Sequence, residues 1–272
     1  MTYPNPFRDW GDWGPKLALD PLAMLWSSTT STATTLAAGP AGAYRLLLNK
    51  LAERLVGRRL RLNTDAGEIA LTITKFETDF DMAGLSVGQL TEVRMSASDI
   101  SWKGLHFDRA SMVIHNVHIK PSNPPRLVAA PIDIEAQTDG AGLAELIRAA
   151  APKVNSDIDE NAVATLQLSA RPKLGHIEVD ARTDGSTVAV WARAVVVGRT
   201  RIRLPKRIPA YRLPLPEMPG ELELTSVEFR PNGVHLTGRL PEWQVDMPRS
   251  RIDDVMRQLG GVGKVLTLRW LT

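Results

Sequence analysis

GQLTEVRMSASDISWKGLHFDRASMVIHNVHI, residues 88–119, alternates apolar and polar side chains through most of its length. Val93, Met95 and Ala97 recur at every second position, and so do Ala110, Met112 and Ile114 beyond Lys103-Gly104. In an extended chain a period of two sends successive side chains to opposite faces. The segment therefore predicts two strands joined at Lys103-Gly104. The same period continues outward: Leu71 and Ile73 precede it, and Ile132, Ile134 and Ala136 follow. Leu166 and Leu168, Ile177 and Val179, Val188 and Val190, Leu222 and Leu224, and Val234 and Leu236 extend the series. Pro124-Pro125, Thr138-Asp139-Gly140, Asp184-Gly185 and Pro231-Asn232-Gly233 punctuate it. Asp-Gly and Asn-Gly suit tight hairpins, because both turn residues need positive φ.

Helical spacing occurs outside the strands. Over residues 41–58, Tyr44, Leu47, Leu48, Leu51 and Leu55 share one face, and Gly57 closes the run. Arg45, Lys50, Arg54, Arg58 and Arg59 lie elsewhere on that cylinder. Residues 21–38 form an Ala/Leu/Thr helix stopped by Gly39-Pro40, after an irregular lead-in over 1–15. Residues 142–151 form a middle helix with Leu143, Leu146 and Ile147 on one side. Residues 251–259 form another, with Ser250 and Asp253 at capping-box spacing. The fold class is α+β with an antiparallel sheet. Three stretches are expected: an N-terminal lead-in and helix over 1–40, a main domain over 41–247, and a C-terminal helix and short strand over 248–272.

Residues 186–197 depart from simple alternation. Val188, Val190, Ala192, Ala194 and Val196 form one face, while Ala189, Trp191, Val195 and Val197 line the other, with Arg193 the exception. A strand with two apolar faces must be covered twice. An ordinary sandwich core does this, and a lined cavity competes because few helices are available to cover a large sheet.

Composition narrows the chemistry. The chain has no cysteine, which excludes disulfides, cysteine-ligated zinc and thiol catalysis. Residues 1–13 are polar, aromatic and nearly neutral, and the apolar stretch 17–26 is broken by Asp20 and Pro21. That is not the pattern of a secretory leader, and no apolar run reaches the ~18 residues a spanning helix needs. The expectation is a cytoplasmic chain, peripheral at the inner face of the plasma membrane.

Residues 88–119 also resemble the opening strands of the LmeA-like phospholipid-binding family of actinobacteria. The shared features are a Gly, an alternating strand, Asp99-Ile100, Gly104-Leu105 and a second strand ending in Val117-His118-Ile119. Residues 212–240, RLPLPEMPGELELTSVEFRPNGVHLTGRL, are similar to the family's closing hairpin, with a Leu-Pro-x-x-Pro-Gly entry, a Leu-x-Leu-Thr-Ser-Val strand and an Asn-Gly turn. The middle helix also falls where the family has one. The resemblance spans residues 60–247. It implies a TULIP-like fold, in which a strongly curved antiparallel sheet wraps a long helix and encloses an apolar groove for acyl chains. It further implies a role in cell-envelope lipid or glycolipid metabolism. Secreted members carry an upstream signal or anchor that is not recognisable here, so their periplasmic role is not carried over.

Catalytic and metal motifs fit the residues less well. Gly84-Leu85-Ser86-Val87-Gly88 has the G-x-S-x-G spacing of a nucleophile elbow, which requires a strand before it and a helix after it. Acidic residues precede Ser86 and a strand pattern follows, so a glycine-bounded loop is expected. Asn155, Asp157, Asp159 and Asn161 are spaced like a calcium loop, but Ala162 and Leu168 stand where Gly and Glu are required. A solvated acidic loop is expected there. His115 and His118 fall on opposite faces of a strand, and no metal-ligand pattern is present.

Residues 193–212 carry Arg193, Arg199, Arg201, Arg203, Lys206, Arg207 and Arg212 and no acid. Such a run is often just a solvated face. Nucleic acid is disfavoured, since Tyr211 is the one aromatic nearby to stack a base. An anionic membrane surface suits it better, at about 1 kcal/mol per basic residue. Arg199, Arg201, Arg203, Lys206 and Arg207 are the expected membrane contacts.

The expected function is binding, and in extension transfer, of phospholipid or glycolipid, without a cofactor or a reaction. Met95, Trp102, Met112, Ile114, Ile134, Val190, Trp191 and Leu236 are the expected groove residues. Two other classes compete: a protein-interaction scaffold with a dry core, and a lipid-modifying hydrolase using Ser86.

Overall fold

The Lys103-Gly104 break is a two-residue hairpin turn. Lys103 has φ 50 and Gly104 φ 79, and Trp102 pairs with Leu105 across it. Both residues sit in the left-handed region that matches the twist of the flanking strands. The strands it joins are long, β3 over Gln89–Trp102 and β4 over Leu105–Lys120. The computed structural model describes residues 49–79, 89–120, 122–184, 187–205, 207–214, 218, 221–231, 233–248, 250, 253–254, 257–258 and 265–268. The lead-in, the helix over 21–38, the first part of the helix over 41–58, Ser86 and Lys206 lie outside them.

The first sheet is built around this hairpin. Its other strands are β1 (Arg59–Thr64), β2 (Gly67–Asp79), β5 (Arg126–Ala129), β6 (Ile132–Asp139), β13 (Glu223–Arg230), β14 (Gly233–Leu240), β15 (Trp243–Asp246) and β16 (Val265–Leu268). They run in the order β13-β14-β6-β4-β3-β2-β1-β16, with β5 pairing β4 and β15 pairing β5. Every pairing is antiparallel except that of β1 with β16.

The second sheet holds β7 (Val154–Ile158), β8 (Ala164–Leu168), β9 (His176–Asp184), β10 (Thr187–Val197) and β11 (Thr200–Arg203), in the order β11-β10-β9-β8-β7. A short β12 (Tyr211–Pro214) pairs β10 beside β11. The architecture is therefore α+β and dominated by antiparallel sheet, but in two open sheets where the sequence suggested one. The chain leaves the first sheet after β6, and its next strands pair among themselves.

Two helices cover the ends of the first sheet. The described part of α1, residues 49–55, places Leu51 and Leu55 against Leu60, Ile73, Leu62, Leu71, Phe76 and Met95. Gly57, at φ 81, turns the chain, and its N–H donates to the Ile73 carbonyl at 2.8 Å. Ile73 is 2% exposed. Burying such a side chain stabilises the fold by roughly 1.5–3 kcal/mol.

Helix α2, Gly140–Ala150, begins two residues earlier than the apolar spacing indicates, because Asp139 is its N-cap. Its carboxylate accepts the Gly142 N–H at 2.8 Å, so β6 runs directly into the helix. Leu143 of α2 packs in a second cluster with Ile158, Ala164 and Val179 of the second sheet and Val234 of the first. Between β15 and β16, Gln258 links three parts of the chain. Its side chain accepts the Thr267 N–H at 2.9 Å, and its carbonyl accepts from Arg58 at 3.3 Å.

Gly142 is needed for space. A Cβ there would lie 1.8 Å from Thr138 Oγ1 and 2.9 Å from the His106 carbonyl oxygen, and Thr138 Oγ1 itself donates to that oxygen. We expect Gly142→Ala to lower unfolding free energy by about 2 kcal/mol, as overpacking does, measured by urea denaturation. An unchanged midpoint would show that Thr138 can rotate away without loss.

Candidate functional site

Partners across a sheet share a face, so the strand registers assemble the first sheet's two surfaces row by row. One row runs Phe76, Met95, Met112, Ile134, and continues through Gly238 to Leu224. A second runs Ile73, Ala97, Ala110, Ala136, Leu236, Val227. A third joins Val93, Ile114, Ile132 and Leu240. The opposite face is charged: Glu77, Arg94, Val113, Asp133, Arg239 and Glu223 form one of its rows. On it Asp133 accepts from Arg239 Nε at 3.1 Å, and its other oxygen lies 3.2 Å from His115 Nε2. The first sheet is thus amphipathic, with one wet face.

The apolar face is unevenly covered. At the β1–β3 end it meets α1, and at the β13–β14 end it meets α2 and the second sheet. Between these clusters Met112, Ile114 and Ile134 are only half-buried, with Ala110 and Ala136 beside them. At about 4.8 Å per strand, the strip from β3 across β4 and β6 to β14 is roughly 15 Å wide. A depression of about 310 Å³ lies elsewhere, between Glu77, Thr78, Asp79 and Arg94, and is lined by polar residues.

Five of the expected groove residues therefore share one face: Met95, Met112, Ile114, Ile134 and Leu236. Val190, on β10, packs in the same cluster as Leu236. Trp191, its neighbour, points to the other side of β10. It pairs with Asp180, and the Arg182 guanidinium lies 5.9 Å from its ring centre. Trp102 sits at the hairpin end of β3, where its indole N–H donates to the Ala66 carbonyl at 3.2 Å. Phe76 is a member that simple alternation misses. A bulge between Ile73 and Lys75 shifts the phase of β2, so Phe76 joins the apolar face. The signal is present in the sequence, as the step from Leu71 and Ile73 to Phe76 rather than to Lys75.

The basic run does not act as a unit. Arg199, Arg203 and Arg207 are exposed. Arg201 instead donates from Nε and Nη2 to the two oxygens of Glu178, both at 2.6 Å. Glu178 is only 8% exposed. Arg201 is therefore the fork that keeps a buried carboxylate paired. Arg193 and Arg212 are likewise engaged, with Asp180 at 3.3 Å and Asp184 at 3.0 Å.

In the acidic loop, Asp159 Oδ1 accepts the N–H groups of Asn161 and Val163 at 2.9 and 2.8 Å, while Ala162 has φ 60. The hydrogen bond from Val163 is the main cause of its lowered pKa. The carboxylate is used to shape the β7–β8 turn. Among the described residues no group of His, Asp and Glu is placed to hold a metal ion.

The family model for LmeA-like phospholipid-binding proteins matches residues 47–239, which takes in the described part of α1 and all of β14 but its last residue. No curated protein and no solved structure matches the chain. Strands β15 and β16 lie beyond the matched span yet hydrogen-bond into the first sheet. Among the described residues no helix is long and apolar enough to cross a membrane.

The hydrogen bond and charge of Arg201 hold the Glu178 carboxyl below its ordinary pKa. A depressed carboxyl contributes stability above its unfolded pKa, about 4.3, and loses it as pH falls through the folded value. Arg201→Gln should therefore lower the melting temperature at neutral pH by about 3 °C or more. The gap from wild type should narrow below pH ~4, as protonation neutralises Glu178 in both proteins. Thermal scans across pH check this, and a gap independent of pH would remove the ion pair as its cause.

Proposed function

The chain belongs to the LmeA-like phospholipid-binding family, and from that membership and the half-buried strip on its first sheet we propose that it binds a phospholipid, or a related polar lipid, by the acyl chains. The observation that carries the proposal is the position of Met112, Ile114 and Ile134. They are apolar and half-buried, on a sheet whose other face already meets water, and they lie between two covered clusters. Met95 and Leu236 bound the strip on either side, and each packs against one of those clusters. Two methionines in one row supply unbranched, adaptable side chains suited to a ligand of variable shape.

The energetics suit this ligand. Each methylene removed from water contributes about 0.8 kcal/mol, so ten contribute about 8 kcal/mol. Lost freedom on association offsets part of that. Helix α1, at one end of the strip, fits the TULIP-like arrangement in which a sheet curves about a helix. In this reading the protein binds and transfers lipid in envelope lipid or glycolipid metabolism and catalyses no reaction. A main domain over 41–247 carries the binding, flanked by 1–40 and 248–272.

The purified protein should yield phospholipid on solvent extraction. Met112→Asn should cut the extracted lipid by at least half while moving the melting temperature far less than a core substitution such as Ile73→Ala. If wild-type protein, delipidated and offered phospholipid, takes up none, a dry-core interaction module replaces this reading. Equal losses of lipid and of stability in Met112→Asn would place Met112 in the core.

A further inference from the structure

The second sheet ends in apolar side chains that face water. Leu168 is 53% exposed, Leu174 54%, Ile177 39%, Val197 51% and Ile202 55%. Register places them together. Leu166 pairs with Ile177, Ile177 with Val195, and Val195 with Ile202, giving one row across β8, β9, β10 and β11. Leu168 and Val197 lie two residues further along β8 and β10, on the same face. Leu166 still packs in the interior cluster, so the surface is the inner face of the sheet continued past its core. Leu174 lies in the turn Pro172–Leu174, which β10 holds close. A Cβ on Gly175 would meet the Val196 carbonyl oxygen at 2.0 Å.

Charge surrounds this surface with one sign. Arg171 and Lys173 flank it on the turn and Arg199 caps the β10–β11 hairpin; all three are exposed. Among the described residues none of the three forms an ion pair. The acids of β9 are already engaged, Glu178 by Arg201 and Asp180 by Arg193. Exposed apolar groups ringed by unpaired cations are poorly matched to water and well matched to the boundary between anionic headgroups and acyl chains.

We propose that this end of the second sheet docks on an anionic phospholipid bilayer. Val197, Ile202, Leu168 and Leu174 enter the interface, and Arg171, Lys173 and Arg199 meet headgroup phosphates. Other occupants fit less well. Residues 1–48 carry three acids (Asp9, Asp12, Asp20) and three bases (Arg8, Lys16, Arg45), leaving no surplus of negative charge to meet these cations. A second copy docked about a twofold axis would set the cationic cluster against itself. This goes beyond lipid binding by the first sheet, since docking does not require that strip to be occupied.

The absence of cysteine makes the test direct. Ile202→Cys is labelled with a polarity-sensitive fluorophore in the full chain, with Gln137→Cys, exposed on the charged face of the first sheet, as control. The probe is phosphatidylcholine vesicles with and without phosphatidylglycerol. The label at position 202 should shift to the blue with phosphatidylglycerol present, and the one at 137 should not. Lys173→Gln with Arg199→Gln should weaken vesicle partition about tenfold or more. A label insensitive to both vesicles overturns the proposal. So does one already blue-shifted without vesicles, whether that depends on protein concentration, as for a second copy, or not, as for the chain's own residues. Extracted lipid is measured on the same preparations. Protein that docks but never takes up lipid overturns the groove and leaves docking standing, while lipid-loaded protein that ignores vesicles does the reverse.

Discussion

The register of the β3–β4 hairpin is the constraint on which the rest of the molecule depends. Its turn is two residues long, so the pairing of Trp102 with Leu105 sets every later pair out to Gln89 with His118. A slip of one residue would turn the apolar face of one strand to the charged side of the other. Met112 would then lie on the side of Arg94, opposite to Met95, and β2 and β6 would have no continuous apolar face to join. Lys103 and Gly104 hold left-handed geometry at the turn, and the alternating faces on either side reward only one alignment.

That amphipathic sheet must then be covered, and the chain does so from its two ends. Helix α1 reaches the β1–β3 end through Leu51 and Leu55, and α2 ties the β13–β14 end to the second sheet through Leu143. The half-buried strip on β4 and β6 is what these two caps leave between them. In the proposed reading, ligand binding is a consequence of where packing stops. A longer α2 or a second sheet set closer to β4 would bury Met112 and Ile134 and abolish the strip without altering either residue.

Electrostatics divide the basic run in the same positional way. Arg199, Arg201 and Arg203 alternate along one short segment and are chemically identical. Only Arg201 lies within reach of a carboxylate that the sheet has already buried, and a bidentate pair with Glu178 follows. Its neighbours keep their charge for solvent or a partner. Each apolar residue between them is subject to the same geometry: Val195 is half-buried where its strand is flanked on both sides, while Ile202 on the edge strand is exposed.

Local properties were legible in the sequence because they are set by residues close in the chain. The strand periods, the hairpin at Lys103-Gly104, the closing of α1 at Gly57 and the common face of Met95, Met112, Ile114 and Ile134 all follow from alternation and turn chemistry. So did the family, whose marks are runs of contiguous residues. The phase shift that brings Phe76 onto the apolar face left only a faint trace. The division into two sheets and the capture of Arg201 by Glu178 left none. Each depends on which strands become neighbours, and those contacts join residues more than ten positions apart. Alternation along the chain sets the faces of the strands, and the packing of one element on another sets which faces are covered, because burial is a property of the partner as much as of the residue.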